Sequence, residues 1–250
     1  MSNASDKVVV VTGASSGIGH ATALELGRRN AKVACIARRA DRIATLSKEI
    51  KDAGGRALAL ECDVTDRGAV DDAIATVVDT FGPVDVLVNN AGVMPLSYMD
   101  AVDVDGWDRM IDVNIKGVLY GIASVLPSML ERRSGHIINV SSIAGRRVMP
   151  SATVYCATKH AVHALSEGLR AEMAPHDIRV TIIAPGFVET ELQSHVKDER
   201  VLKRWTDRSK DNPLQPLQSE DIAREICHVI EAPAHVCVNE VLVRPTRQDV

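Results

Sequence analysis

The chain has 250 residues, 46% of them hydrophobic and 25% charged, enough ordinary globular sequence to bury one large core, so a single domain is expected. A formal net charge of -4 excludes a global positive field for nucleic acid or an anionic membrane surface. Five cysteines (Cys35, Cys62, Cys156, Cys227, Cys237) form no CxxC pair and eight histidines show no ligand spacing, so free thiols, a cytoplasmic setting and no metal are expected.

A polar lead passes straight into Lys7-Val8-Val9-Val10-Val11 without a signal-peptide pattern. No apolar run approaches the roughly 18 to 20 residues of a membrane span, so none is expected. Runs rich in Val, Ile and Ala at 8–12, 32–37, 56–61, 84–89, 135–141, 178–184 and 238–243 predict strands. They are apolar almost continuously, as strands covered on both faces are, and the segments between them carry helical periodicity. The pattern predicts an α/β fold with a doubly wound, seven-stranded parallel sheet of the Rossmann type.

Directly after the first strand stands Thr12-Gly13-Ala14-Ser15-Ser16-Gly17-Ile18-Gly19, running into helical sequence from His20. Gly13 permits the tight turn, Gly17 lets backbone approach a pyrophosphate, and Gly19 lets helix and strand pack closely; the helix's first amides face the anion. The spacing is GxxxGxG rather than GxGxxG. The second strand ends Ile36-Ala37-Arg38-Arg39, where a site for NAD would carry an acid to accept the ribose 2′-hydroxyl. Ala37 holds that position, so Arg38 is expected to bind a 2′-phosphate bidentately, with Arg39 and Ser15 or Ser16 assisting. Further on, Ala53-Gly54-Gly55 stops one helix, Asp63-Val64-Thr65-Asp66 opens another and Phe81-Gly82-Pro83 ends a third. Residues 187–217 insert a polar, helix-prone segment ending Asn212-Pro213-Leu214-Gln215-Pro216 at a strand's carboxyl end, where a substrate lid or a functionless surface excursion would sit.

A second constellation follows in order. Val88-Asn89-Asn90-Ala91-Gly92 closes the fourth strand, Asn114 lies in the next long helix, Ser141-Ser142 ends the fifth strand, and Tyr155-Cys156-Ala157-Thr158-Lys159 starts a helix. Four positions apart, Tyr155 and Lys159 share one helix face, so the ammonium is expected to favour the phenolate and lower a pKa that is ordinarily about 10.

With its TGxxxGxG, NNAG, Asn, Ser, YxxxK and PG elements in order over residues 7 to 243, the chain resembles the short-chain dehydrogenase/reductase family. The resemblance implies a catalytic tetrad of Asn114, Ser142, Tyr155 and Lys159 on an NADP-dependent oxidoreductase moving a hydride between nicotinamide and a small alcohol or carbonyl. Tyr155 would be the general acid and base, Ser142 would orient the substrate oxygen, Lys159 would also hold the ribose, and Asn114 would hold a water and fix a helix kink. Implied cofactor contacts are Gly13, Ser15, Ser16, Gly17, Ile18, Gly19, Arg38, Arg39, Asp63, Val64, Asn90, Ala91, Gly92, Tyr155, Lys159, Pro185, Gly186, Val188 and Thr190. Asp63 is read as a helix N-cap that also faces the adenine. Gln218-Ser219-Glu220-Asp221-Ile222-Ala223 and the ending from Glu240 to Gln248 are similar to a subgroup of hydroxy-acid or serine dehydrogenases and aldehyde reductases, which implies small polar substrates. Substrate lining is expected from 94–99, 143–148 and 187–208, and packing roles from Cys156, Trp107 and Trp205. The family also implies a homotetramer or homodimer, with helices at 103–131 and 152–174 meeting symmetry mates. Two other readings remain: a catalytically silent NADP-binding regulatory protein, and an epimerase or dehydratase, which usually carries a longer substrate domain.

Overall fold

All seven expected runs form strands: β1 (Val8–Thr12), β2 (Lys32–Ala37), β3 (Arg56–Glu61), β4 (Val86–Asn89), β5 (Gly135–Val140), β6 (Ile178–Pro185) and β7 (Glu240–Val243). This computed structural model describes residues 3–211 and 214–248. The strands join one parallel sheet in the order β3-β2-β1-β4-β5-β6-β7. The order reverses between β1 and β4, and ligands in such sheets bind at the crevice this opens beyond the strands' carboxyl ends.

The helices are α1 (Gly17–Arg28), α2 (Ala40–Asp52), α3 (Arg67–Phe81), α4 (Val104–Ile111), α5 (Gly117–Arg132), α6 (Thr153–Met173), α7 (Glu199–Asp211) and α8 (Ser219–Glu231). Alternation along β1 explains its unbroken valines. Val9 and Val11 join Leu26, Ile43, Leu46, Ile222 and Ile226 beneath α1, α2 and α8. Val8 and Val10 join Ile74, Val77, Ile122, Val125 and Val162 beneath α3, α5 and α6. With both faces covered, neither set of side chains can be polar.

Some boundaries move, for local reasons. β4 begins at Val86 rather than 84 because the Asp85 carboxylate accepts from the Val8 amide at 2.9 Å, before the ladder starts. β7 begins at Glu240 rather than 238: the Val238 carbonyl accepts from the Thr181 hydroxyl at 2.6 Å instead of joining a ladder. Asp63 does not cap α3. The cap is Asp66, whose Oδ1 accepts from the Ala69 amide at 3.1 Å, while Asp63 closes a turn on the Thr65 amide and hydroxyl at 3.0 and 2.9 Å.

The helix expected at 103–131 is present. Val104–Arg132 is a continuous helix of 29 residues, long and apolar enough to cross a membrane by length and composition alone. Here it lies along the sheet, with Val118, Ile122, Val125 and Met129 buried in the second core layer. A π turn at Asp112–Lys116 joins α4 to α5.

The 187–217 segment is closed at its base by a bridge between Val188 and Leu217, so it leaves the sheet end and returns to the same point. Between these it carries a short helical turn at Glu191–His195 and then α7. Asn212 and Pro213, named in the sequence reading of this segment, lie outside the described residues.

Candidate active site

The phosphate turn is built by exclusion. Gly13 sits at φ +66 and Gly17 at +55, a region that strains residues with a Cβ. A Cβ on Gly13 would come within 2.8 Å of the Ala91 backbone, and one on Gly19 within 2.5 Å of Asn90 Nδ2 and the Gly13 carbonyl. Thr12 and Asn90 tie the turn to β4: the Thr12 hydroxyl accepts from the Asn90 and Ala91 amides at 3.0 and 3.1 Å, and Asn90 Nδ2 donates to the Thr12 carbonyl at 2.9 Å. Ser16 caps α1 without a side-chain bond to its first amides, which remain directed at the crevice.

At the end expected to take the adenosine the two arginines have different partners. Arg39, not Arg38, lies on the turn's serines: its Nε and Nη2 donate to Ser15 Oγ at 3.0 and 2.9 Å, and Nη2 to Ser16 Oγ at 2.7 Å. Arg38 is more exposed and faces Asp63 at 3.6 Å. Burial pushes the Asp63 carboxyl up, but the Thr65 amide and hydroxyl with Arg38 outweigh it and leave it below the usual carboxylate range. Glu191, from the short helical turn at Glu191–His195, reaches Arg39 at 2.7 Å and Arg42 at 2.6 Å, and these guanidiniums bring its carboxyl down to about 2.

Behind the second constellation runs a buried polar chain. Asn89 Nδ2 donates to Asn139 at 2.9 Å, and Asn139 Nδ2 to Ser166 of α6 at 2.9 Å, which fixes α6 against β4 and β5. Asn114, buried in the π turn, accepts from the Val93 amide at 2.9 Å and donates to the Val93 carbonyl at 3.0 Å and to Thr158 at 3.2 Å. The bulge turns this side chain off the helix surface, so one residue pins both the loop after β4 and α6.

Tyr155 and Lys159 share a face of α6, but not through an ion pair. Lys159 Nζ donates to the Val140 carbonyl at 2.9 Å and stands 5.8 Å from the Tyr155 ring centroid. Burial pushes the Tyr155 hydroxyl up to about 12, although the Ser142 hydroxyl pulls the other way, and brings Lys159 down to about 8. The expected depression of Tyr155 by Lys159 is therefore absent from this arrangement: desolvation disfavours both charged forms and outweighs attraction across the ring face. Ser142 Oγ accepts from the Ala144 amide at 3.1 Å and lies 3.4 Å from the Pro185 carbonyl, on the β6 end that leads into Gly186. Thr190 packs its methyl against the glycine turn, where a Cβ on Gly17 would meet it at 3.2 Å.

One cavity of about 1010 Å³ joins these groups, and every residue the sequence reading placed at the site lines it except Gly19 and Asn114, which support it from behind. Ile18, Val64, Gly92 and Val188 are on its wall with the rest.

A family model for short chain dehydrogenases matches residues 7–201. The chain belongs to the short-chain dehydrogenase family. An uncharacterized oxidoreductase of Staphylococcus saprophyticus is 46% identical over the whole of both chains. Among solved structures, the closed form of a serine dehydrogenase complexed with NADP+ superposes with a TM-score of 0.88 at 33% identity, covering 97% of this chain and 96% of that one. An alcohol dehydrogenase from Thermococcus sibiricus complexed with 5-hydroxy-NADP gives 0.85 at 28% identity, with 98% of each chain covered.

In this short-chain dehydrogenase the cavity wall also carries the apolar side chains Val93, Met94, Leu96, Met149 and Trp205. His195, Arg204 and Gln248 add polar groups to it. The His195 imidazole is held below its ordinary value by burial and by the cations Arg109, Arg38 and Arg39, and its Nδ1 accepts from the Met94 amide at 3.3 Å. Lining from 94–99 and 187–208 was foreseen, whereas 149–152, Gln248 and the Glu191 contacts were not. No local pattern marks them, because each arrives from a distant segment. Cys156 and Trp107 pack in the apolar cluster around Tyr155, as expected.

Proposed function

We propose that this chain is an NADP-dependent oxidoreductase interconverting a small polar alcohol and its carbonyl compound, with Tyr155 as general acid and base. The observation that carries the proposal is that Tyr155, Ser142 and Lys159 open into the same cavity that begins at the glycine turn. The fit to the cofactor rests on the chain's own residues. A Cβ at 13 or 19 would fill the cradle, the first amides of α1 have no side-chain cap, and Ala37 is followed by Arg38, Arg39 and Arg42 where a ribose-binding acid would otherwise stand. The NADP compounds named with the serine and archaeal alcohol dehydrogenases support the same choice.

Bound cofactor supplies or accepts the hydride. Ser142 orients the substrate oxygen by a hydrogen bond, and Tyr155 gives that oxygen its proton as alcohol forms or takes it as alcohol is oxidised. Burial keeps the Tyr155 proton in place near neutral pH, so the side chain stands ready as a donor, and the Ser142 hydroxyl is the group that favours the phenolate needed in the reverse direction. Asn114 positions residue 93 and α6. The 187–217 segment serves as the lid over the substrate end. Exposed Val104, Ile111 and Leu119 on α4 and α5 support assembly into a dimer or tetramer through this helix pair. Five free cysteines suit a cytoplasmic setting.

The test is Tyr155→Phe, assayed against hydroxy acids, aldehydes and ketones with NADP(H). Turnover should fall at least ~10²-fold, the share that general acid-base catalysis supplies, with NADP affinity nearly unchanged. Retention of more than about a tenth of wild-type turnover overturns the role of Tyr155. NADP binding by a wild type that turns over none of the panel would favour the silent regulatory protein.

A further inference from the structure

The cations that a 2′-phosphate would use are already paired within the chain. Arg39 spends Nε and Nη2 on Ser15 and Ser16, and its remaining Nη1 meets Glu191 Oε2 at 2.7 Å. The other Glu191 oxygen meets Arg42 Nη1 at 2.6 Å. Arg38, on the opposite side, faces Asp63 at 3.6 Å. Glu191 therefore bridges the guanidiniums of Arg39, the N-cap of α2, and Arg42, in its first turn, and does so next to Thr190, whose methyl packs on Gly17. A carboxylate with one oxygen on each guanidinium presents the acceptor pattern of a phosphate held by the same pair.

We propose that Glu191 is a cofactor-selectivity residue: an internal carboxylate that the 2′-phosphate of NADP must displace from Arg39 and Arg42, and that NAD leaves in place. This rests on the NADP reading of the site. The phosphate prevails because it brings more charge and a third acceptor oxygen to the same guanidiniums. The displaced pairs are part-exposed, so their loss weakens NADP binding modestly rather than abolishing it. NAD carries a neutral 2′-hydroxyl that needs no guanidinium. The result is a preference for NADP that is narrower than the surrounding arginines would produce alone.

The experiment is isothermal titration of the full-length protein, wild type and Glu191→Gln, with NADP+, NAD+, adenosine 2′,5′-bisphosphate and 5′-AMP. Removing the charge should tighten NADP+ and the bisphosphate by about three- to tenfold and leave NAD+ and 5′-AMP within about twofold. Glu191→Ala should behave in the same way, since the side chain is on the surface. Equal weakening of all four ligands would mean that Glu191 is a latch holding the lid, and would overturn the proposal, as would an unchanged ratio of NADP+ to NAD+ affinity. The wild-type ratio tests the cofactor reading, and the change in that ratio on substitution tests Glu191, so either can fail without the other.

Discussion

Lys159 offers a direct check on the electrostatics of the site through stability instead of turnover. Burial lowers its ammonium from 10.5 to about 8, so the folded state binds this proton less tightly than the unfolded chain does. Below pH 8 both states carry the proton, and folding bears the whole cost of burying it. Between about 8 and 10.5 the folded state releases the proton first, so stability rises with pH across that window. At about 1.36 kcal/mol per pH unit the shift amounts to roughly 3 kcal/mol at pH 7. Lys159→Met keeps most of the stem's volume and removes the charge. It also removes the charge-assisted bond to the Val140 carbonyl, worth about 2 kcal/mol. The net expectation is a gain of about 1 kcal/mol, or about 2–4 °C in Tm for a chain of this size, together with loss of turnover. Scanning calorimetry of the cofactor-free protein at pH 7 measures the gain, and repeating it at pH 9.5 should find much of it gone. A less stable variant, or an offset that does not change with pH, would refute the reasoning.

Three further expectations come from the supporting geometry. Gly19→Ala pushes a methyl against Asn90 Nδ2 and the Gly13 carbonyl, so it should cost about 1–3 kcal/mol in urea denaturation and disturb the Asn90 bond to Thr12. Asn114→Ala leaves the Val93 amide and carbonyl without their partners, and should cost about 3–5 kcal/mol by the same measurement, more than removing a surface amide would. Asp66→Ala should cost about 1 kcal/mol as a lost helix cap, whereas Asp63→Ala should leave α3 capped; equal effects in thermal melts would reverse the assignment of the cap.

The sequence by itself determined the architecture and most of the residues that meet at the candidate site. Strands covered on both faces are apolar almost throughout, so the sheet was visible as runs such as Val8–Val11. The glycine turn was legible because backbone at φ +66 and +55 restricts residue choice locally, and Tyr155 and Lys159 because a helix brings positions four apart together. Tertiary structure decided what depends on distant segments or on burial. Arg38 and Arg39 are adjacent in sequence, and only the fold shows that Arg39 lies on the serines while Arg38 turns to Asp63. Glu191 pairs with Arg39 across a separation of 152 positions, which no spacing rule signals. The charge states of Tyr155 and Lys159 follow the same logic: spacing predicts that they are neighbours, but how far each is removed from water is set by the surrounding chain, and that desolvation outweighs their mutual attraction.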